Sequence, residues 1–202
     1  MSINKAAHSL ARYLSTELKT TKAQEEVLAY GLELIFLGAI GLLAVALAGY
    51  LVGAPAETLA ALISASLLRL PGGGIHLSSP VKCLSFTAVI FSIMGFLSRG
   101  ITGYSLDKPY IAFAILFSGL LSLAASFWQA PVTSPTKPIN SPVIRRRLRR
   151  TAVGVSIVVP LLLLLISSRW PSLALAGAVG LAWQGAIIFL ASILYNKEVR
   201  WG

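Results

Sequence analysis

Leu34-Ile-Phe-Leu-Gly-Ala-Ile-Gly-Leu-Leu-Ala-Val-Ala-Leu-Ala-Gly-Tyr-Leu-Val-Gly-Ala-Pro-Ala56 contains no charged side chain. About 20 apolar residues in helical form cross the hydrocarbon core of a bilayer. This stretch therefore reads as a transmembrane helix ending in an uncharged turn at about 53–56. The composition agrees. Apolar residues make up 56% of the 202 and charged residues 12%, against roughly 25% charged in a soluble domain. Mean hydropathy is +0.79. A soluble enzyme, a disordered chain and a secreted disulfide scaffold are excluded, the last because there is one cysteine.

Further spans follow. Tyr110 to Trp128 is apolar within an uncharged stretch from Pro109 to Thr136. Thr151 to Ser168 holds Pro160 before five leucines. The proline kinks such a helix without forbidding it, because packed neighbours satisfy the freed carbonyl. Trp170 to Asn196 is uncharged, with Trp170 and Tyr195 as interfacial anchors. Leu84 to Ser98 becomes long enough once Pro80 to Cys83 are added. Glu57 to Leu68 is short for a span and reads as a short or re-entrant helix. The expectation is an all-α polytopic membrane protein with about six crossings.

Charge placement sets the orientation. Lys5, Arg12, Lys19 and Lys22 precede the first span, and the next cation is Arg69. Arg69 and Lys82 flank one loop, and Lys137 with Arg145, Arg146, Arg147, Arg149 and Arg150 fill another. Lys197 and Arg200 lie in the tail. Cytoplasmic termini, 69–83 loop and 129–150 loop put the heavy basic counts inside, as the positive-inside rule requires. Residues 1–30 lack the apolar core and cleavage site of a signal peptide. Ala11, Leu14 and Leu18 suggest an amphipathic surface helix within 11–28. Residues 1–30 thus form a cytoplasmic segment and 31–202 the membrane-embedded domain. Pro131, Pro135, Pro138 and Pro142 mark an extended linker.

The chemistry-bearing loop is Arg69-Leu-Pro-Gly-Gly-Gly-Ile-His-Leu-Ser-Ser-Pro-Val-Lys-Cys83. Ser79-Pro80 reads as N-cap and first helical residue. Cys83 then sits in the first helical turn, where the partial positive charge favours a thiolate. His76 is free to fold back toward the sulfur, giving a nucleophile with a proton acceptor and donor. Arg69 is placed to hold a carboxylate or a developing negative charge. Plainer readings of the same residues stand beside this one. A lone cysteine in a membrane helix serves as a small apolar residue. A loop histidine is solvated, three glycines make a hinge, and an arginine snorkels at the interface.

The order of features resembles the AgrB family, membrane peptidases that process precursors of cyclic autoinducing peptides. The resemblance rests on Tyr30-Gly-Leu-Glu-Leu-Ile, on Arg69…Gly74-Ile-His76…Cys83, and on Ala130-Pro131…Lys137-Pro138-Ile139 ahead of the basic cluster. It implies Cys83 as nucleophile and His76 as its base. Arg69, Gly74 and Pro138 match supporting positions. Glu33 stands where some members carry Gln; it either orients His76, binds substrate or serves packing alone.

The resemblance further implies an AgrD-like precursor as substrate, with an amphipathic leader, a short peptide and an acidic tail. The implied protein is a cysteine endopeptidase in a bacterial cell membrane, working as a homodimer without metal or cofactor. The arginine cluster is then a topology determinant touching anionic lipid, or a steering surface for the acidic tail. A small peptide exporter and a membrane scaffold without covalent chemistry are the rival classes. Nucleic acid is not an expected partner, since no aromatic residues interleave the arginines. Gly177 and Gly180 in the last span are the small residues that would suit a helix–helix contact between copies.

Overall fold

A computed structural model describes residues 3–75, 79–104, 107–132, 139 and 141–201. Seven helices follow one another among these residues: α1 (Ile3–Leu18), α2 (Lys22–Leu51), α3 (Pro55–Gly72), α4 (Pro80–Gly103), α5 (Lys108–Trp128), α6 (Pro142–Ser167) and α7 (Pro171–Trp201). Five of them (α2, α4, α5, α6 and α7) are long and apolar enough to cross a membrane. Their outer faces expose Leu43, Leu47, Phe113, Leu120, Leu161 and Leu165. Such a continuous apolar surface suits lipid and not water. The chain is an all-α polytopic membrane protein.

The N-terminal stretch is two helices where one was expected within 11–28. Lys19 adopts φ 50 and breaks the run. Thr21 then opens α2 with a capping box: its side chain accepts from the Gln24 N–H, and the Gln24 side chain accepts from the Thr21 N–H. The pattern Thr21-Lys22-Ala23-Gln24 is a readable start signal. Ala7, Ala11 and Ser15, each four residues apart, form the buried stripe of α1, and α1 packs on α2. Asn4 donates to Glu33 (3.5 Å) and Arg12 approaches Glu25 (3.9 Å). The two helices therefore run antiparallel.

The segment expected as a short span is the 18-residue helix α3, about 27 Å long at 1.5 Å per residue. It lies in the middle of the bundle, against α2, α4, α6 and α7. Its buried residues include Glu57, Thr58 and Ser64. A helix shielded from lipid by its neighbours tolerates polar residues that a lipid-facing span would not, which explains its weak hydropathy. Glu57 accepts a bond from Ser172 (2.9 Å) and lies 4.0 Å from Arg99, whose guanidinium also donates to the Gly53 carbonyl (2.7 Å). This polar latch ties α3, α4, α7 and the α2–α3 turn at one end of the bundle.

Pairings along the helices give their directions. Thr58 meets both Gly49 and Gly95, near the end of α2 and well along α4, so α3 opposes both. Glu57 meets Ser172 and Gly72 meets Ile188, so α3 and α7 run together. Ser126 bonds Ser156 (3.0 Å), and Gly119 receives the Pro160 ring, so α5 and α6 oppose. Pro160 thus lies inside a continuous α6. The C-terminal ends of α3 and α5 share one end of the bundle, where Gly73 pairs with Val132. The turns near Gly53, Tyr104 and Arg169 occupy the other.

Gly177 and Gly180 are used within the chain. A Cβ on Gly180 would strike the Ala61 carbonyl oxygen, and one on Gly177 would lie 2.6 Å from Leu163 and 3.0 Å from Ser64. These glycines let α7 approach α3 and α6 closely, and they carry no argument for self-association. Gly180→Ala should cost about 1–3 kcal/mol by overpacking and lower the thermal midpoint in detergent. Gly154→Ala, where a Cβ meets nothing within 4 Å, should leave the midpoint unchanged or raise it.

Candidate active site

Helix α3 ends in a stretch that cannot remain helical. The Gly73 φ of 79 is a left-handed conformation that favours glycine. A Cβ there would also run into the Val132 carbonyl. Beyond this residue three separate holds fix the backbone. Val132 donates its N–H to the Gly72 carbonyl (3.0 Å), and residues 73 and 132 pair as a short parallel bridge. Gln184 of α7 donates from Nε2 to the Gly73 carbonyl (2.8 Å). Arg69 donates from Nη2 to the Ile75 carbonyl (2.8 Å). Gly74 sits between the last two: a Cβ on it would lie 3.0 Å from Arg69 Nη1 and 3.4 Å from Gln184 Nε2. A side chain at this position would wedge the clamp open.

The linker is held in turn. Arg149 of α6 donates from Nε to the Ala130 carbonyl (2.9 Å). Arg149 is therefore a fastening of the loop as well as a member of the basic cluster. Arg145, Arg146 and Arg149 line a hollow of about 160 Å³ beside Pro142, at the start of α6.

Helix α4 begins as the sequence suggests, with Ser79 extended (φ −138, ψ 135) and Pro80 in the first turn. The Ser79 side chain makes no capping bond. The Cys83 N–H donates to the Ser79 carbonyl (3.1 Å), and the Thr87 hydroxyl donates to the Cys83 carbonyl (2.7 Å). The Cys83 backbone is thus fully committed, and its half-buried thiol is free.

Cys83 stands in the wall between two chambers. One, of about 540 Å³, lies between α2, α3 and α4 and includes Leu37, Gly38, Gly41 and Val45. The other, of about 380 Å³, lies between α3, α4 and α7 and includes Arg69, Ile75, Trp183 and Gln184. Leu62, Ser66, Cys83 and Thr87 belong to both. Phe86 packs on Trp183 with ring centroids 6.4 Å apart along the second chamber.

Of the candidates read from sequence, Cys83, Arg69 and Gly74 come together around this space. Arg69 is committed to the Ile75 carbonyl. Glu33 lies four residues before Leu37 and eight before Gly41, on the same face of α2, and accepts its bond from Asn4 of α1. It does not line either chamber. His76 and Pro138 lie outside the described residues, although Ile75, directly before His76, lines the second chamber. Sequence reasoning missed Gln184, which is 2% exposed. A lone amide inside an otherwise apolar span is a detectable signal, because such groups seek a partner within the protein. Ser66 and Val132 were missed as well, and nothing in their spacing announces them.

A sequence profile of the family Accessory gene regulator B (AgrB) matches residues 7–190. The chain belongs to the AgrB family. Its relatives include an AgrB-like protein 2 of Clostridium perfringens strain 13, 26% identical over 184 residues, covering 87% of this chain and 86% of the relative. An AgrB-like protein of Clostridium perfringens strain SM101 is 24% identical over 183 residues, with the same coverage. No solved structure matches. Membership implies a part in the accessory gene regulator quorum-sensing system, with an AgrD-like peptide as partner.

The clamp makes a direct prediction. Gln184→Leu leaves the Gly73 carbonyl without its donor, which should cost about 1–3 kcal/mol locally. Hydrogen exchange by mass spectrometry should then speed up at residues 72–75 and stay unchanged at Leu68 one turn earlier.

Proposed function

We propose that this chain is a membrane cysteine endopeptidase that removes the C-terminal tail of an AgrD-like propeptide through a thioester on Cys83. The observation that supports this reading most is the position of Cys83, on the shared wall of two chambers beside a fixed loop leading to His76. Family membership adds the substrate class.

In the first step the Cys83 thiol gives its proton to His76, and the resulting thiolate attacks the carbonyl at the boundary between peptide and tail. The carbon–nitrogen bond breaks as His76 passes its proton to the leaving amine, and the tail departs. The peptide remains as a thioester. A cysteine or serine of the same peptide then gives its proton to His76 and attacks the thioester carbonyl. Cys83 leaves as thiolate, and the ring closes as a thiolactone or lactone. A thioester transfers its acyl group without ATP. Water has to be excluded or hydrolysis would compete, and apolar walls from four helices serve that end.

Arg69 and Gly74 act by fixing the backbone that carries His76, and Pro138 by shaping the linker that pairs with it. Glu33 holds α1 against α2 near the mouth of the apolar chamber. The basic end of the bundle faces the cytoplasm under the positive-inside rule. Residues 1–30 form the cytoplasmic segment, residues 31–202 the membrane-embedded peptidase, and the working unit is a homodimer.

The deciding experiment uses the purified protein in lipid with a matched precursor. Mass spectrometry should detect released tail and an acyl adduct on Cys83. Cys83→Ala should remove both, and His76→Ala should reduce cleavage by at least about 100-fold, the usual contribution of a general acid–base. Persistent cleavage by Cys83→Ala refutes the assignment. A separate comparison tests steering. Reversing Arg145 and Arg146 to Glu, with Arg149 intact, should slow processing at low salt and converge with wild type at high salt. Equal rates at low salt would leave the two arginines only a topological role.

A further inference from the structure

We infer that the chamber between α2, α3 and α4 is the pocket for the side chain on the acyl side of the attacked bond, and that this residue is a bulky apolar one. The inference rests on the thioester reading above.

Four observations carry it. Cys83 lines the chamber, so a side chain seated there belongs to the residue whose carbonyl is attacked or to its neighbour. The wall contributed by α2 is apolar, built from Leu37, Leu42 and Val45 together with Gly38 and Gly41. The space exists because two glycines stand where α2 would otherwise project side chains. A Cβ on Gly38 would meet nothing within 4 Å, and one on Gly41 would reach only Leu84, at 3.4 Å. The volume of about 540 Å³ lies within the roughly 300–1,000 Å³ of small-ligand pockets.

The chamber on the other side of Cys83 is walled by Phe86, Ile90, Phe91, Trp183, Ile187 and Leu190, with Arg69 and Gln184 also in its lining. Both of those polar side chains are already bonded to backbone carbonyls. No glycine lines it, so the room cleared by small residues next to the cysteine is the chamber beside α2. Ser66 and Thr87, common to both chambers, flank Cys83 where the two halves of the peptide would meet.

The test fills the pocket. Gly41→Leu and Gly38→Leu are assayed on two matched precursors, one with Leu and one with Ala on the acyl side of the cleaved bond. Wild type should prefer the Leu precursor in kcat/KM by on the order of 10- to 100-fold, the usual discrimination by an apolar pocket. The filled variants should lose most of that preference, because the Leu precursor suffers far more than the Ala precursor. Thermal midpoints confirm folding. If Gly41→Leu fails to fold, Gly41→Ala carries the same comparison, since its Cβ fits at 3.4 Å.

An unchanged preference in folded variants overturns the inference, as does an equal loss on both precursors. The latter is the result expected of a chamber occupied by a lipid chain. Failure of the underlying reading looks different: wild type itself would release no tail and form no adduct on Cys83.

Discussion

Backbone carbonyls and amides at membrane depth have no water to bond, and irregular chain survives there only where protein supplies every partner. Three carbonyls of the stretch from Gly72 to Ile75 find such partners at the edge of the helix bundle. The Gly72 carbonyl takes Val132, the Gly73 carbonyl takes Gln184, and the Ile75 carbonyl takes Arg69. Each donor comes from a different element, and each fixes one point of the approach to His76. Two of the glycines follow from the same constraint. Gly73 has a left-handed backbone against Val132, and Gly74 lies between the two side-chain donors. What looks in sequence like a flexible hinge is backbone held at three successive points by other parts of the chain.

The central placement of α3 is the second determinant. It carries both Arg69 and the latch residue Glu57, at opposite ends, and offers Ser66 to the space around Cys83. A helix with these groups could not face lipid. Surrounding it with more apolar helices keeps its polar residues inside, where Glu57 meets Ser172 of α7 and Arg99 of α4. Small residues allow that closeness: Gly49 and Gly95 on Thr58, and Gly180 on the Ala61 carbonyl. The bundle is thus built around a helix less apolar than the five long ones.

Much of this was legible before any coordinates. The charge-free stretches located the long spans because lipid-facing helices have little choice of composition. Ser79-Pro80 marked the start of α4, since a cap followed by proline has a local cause. The full extent of α3 was not legible, because its lipid exposure is low and hydropathy measures exposure to lipid. The break at Lys19 was missed although Thr21 and Gln24 encode it. Gln184 and Val132 were missed for a different reason. Their roles are contacts across more than 50 residues of sequence, between 73 and 132 and between 73 and 184, and no local pattern records such pairing. Gly177 and Gly180 show the same limit, since a small-residue stripe does not say which helix it meets.

The fastening of the loop also bears on the order in which the protein is made. A nascent chain that has reached Trp128 already contains Cys83 and His76. It does not yet contain Val132 or Gln184, so two of the three holds on the intervening backbone are missing. Arg149, which secures the linker through Ala130, is made after Val132 and before Gln184. Competence is therefore deferred until the final helix has been inserted, and a truncated product left in the bilayer would carry its thiol without the framework around it.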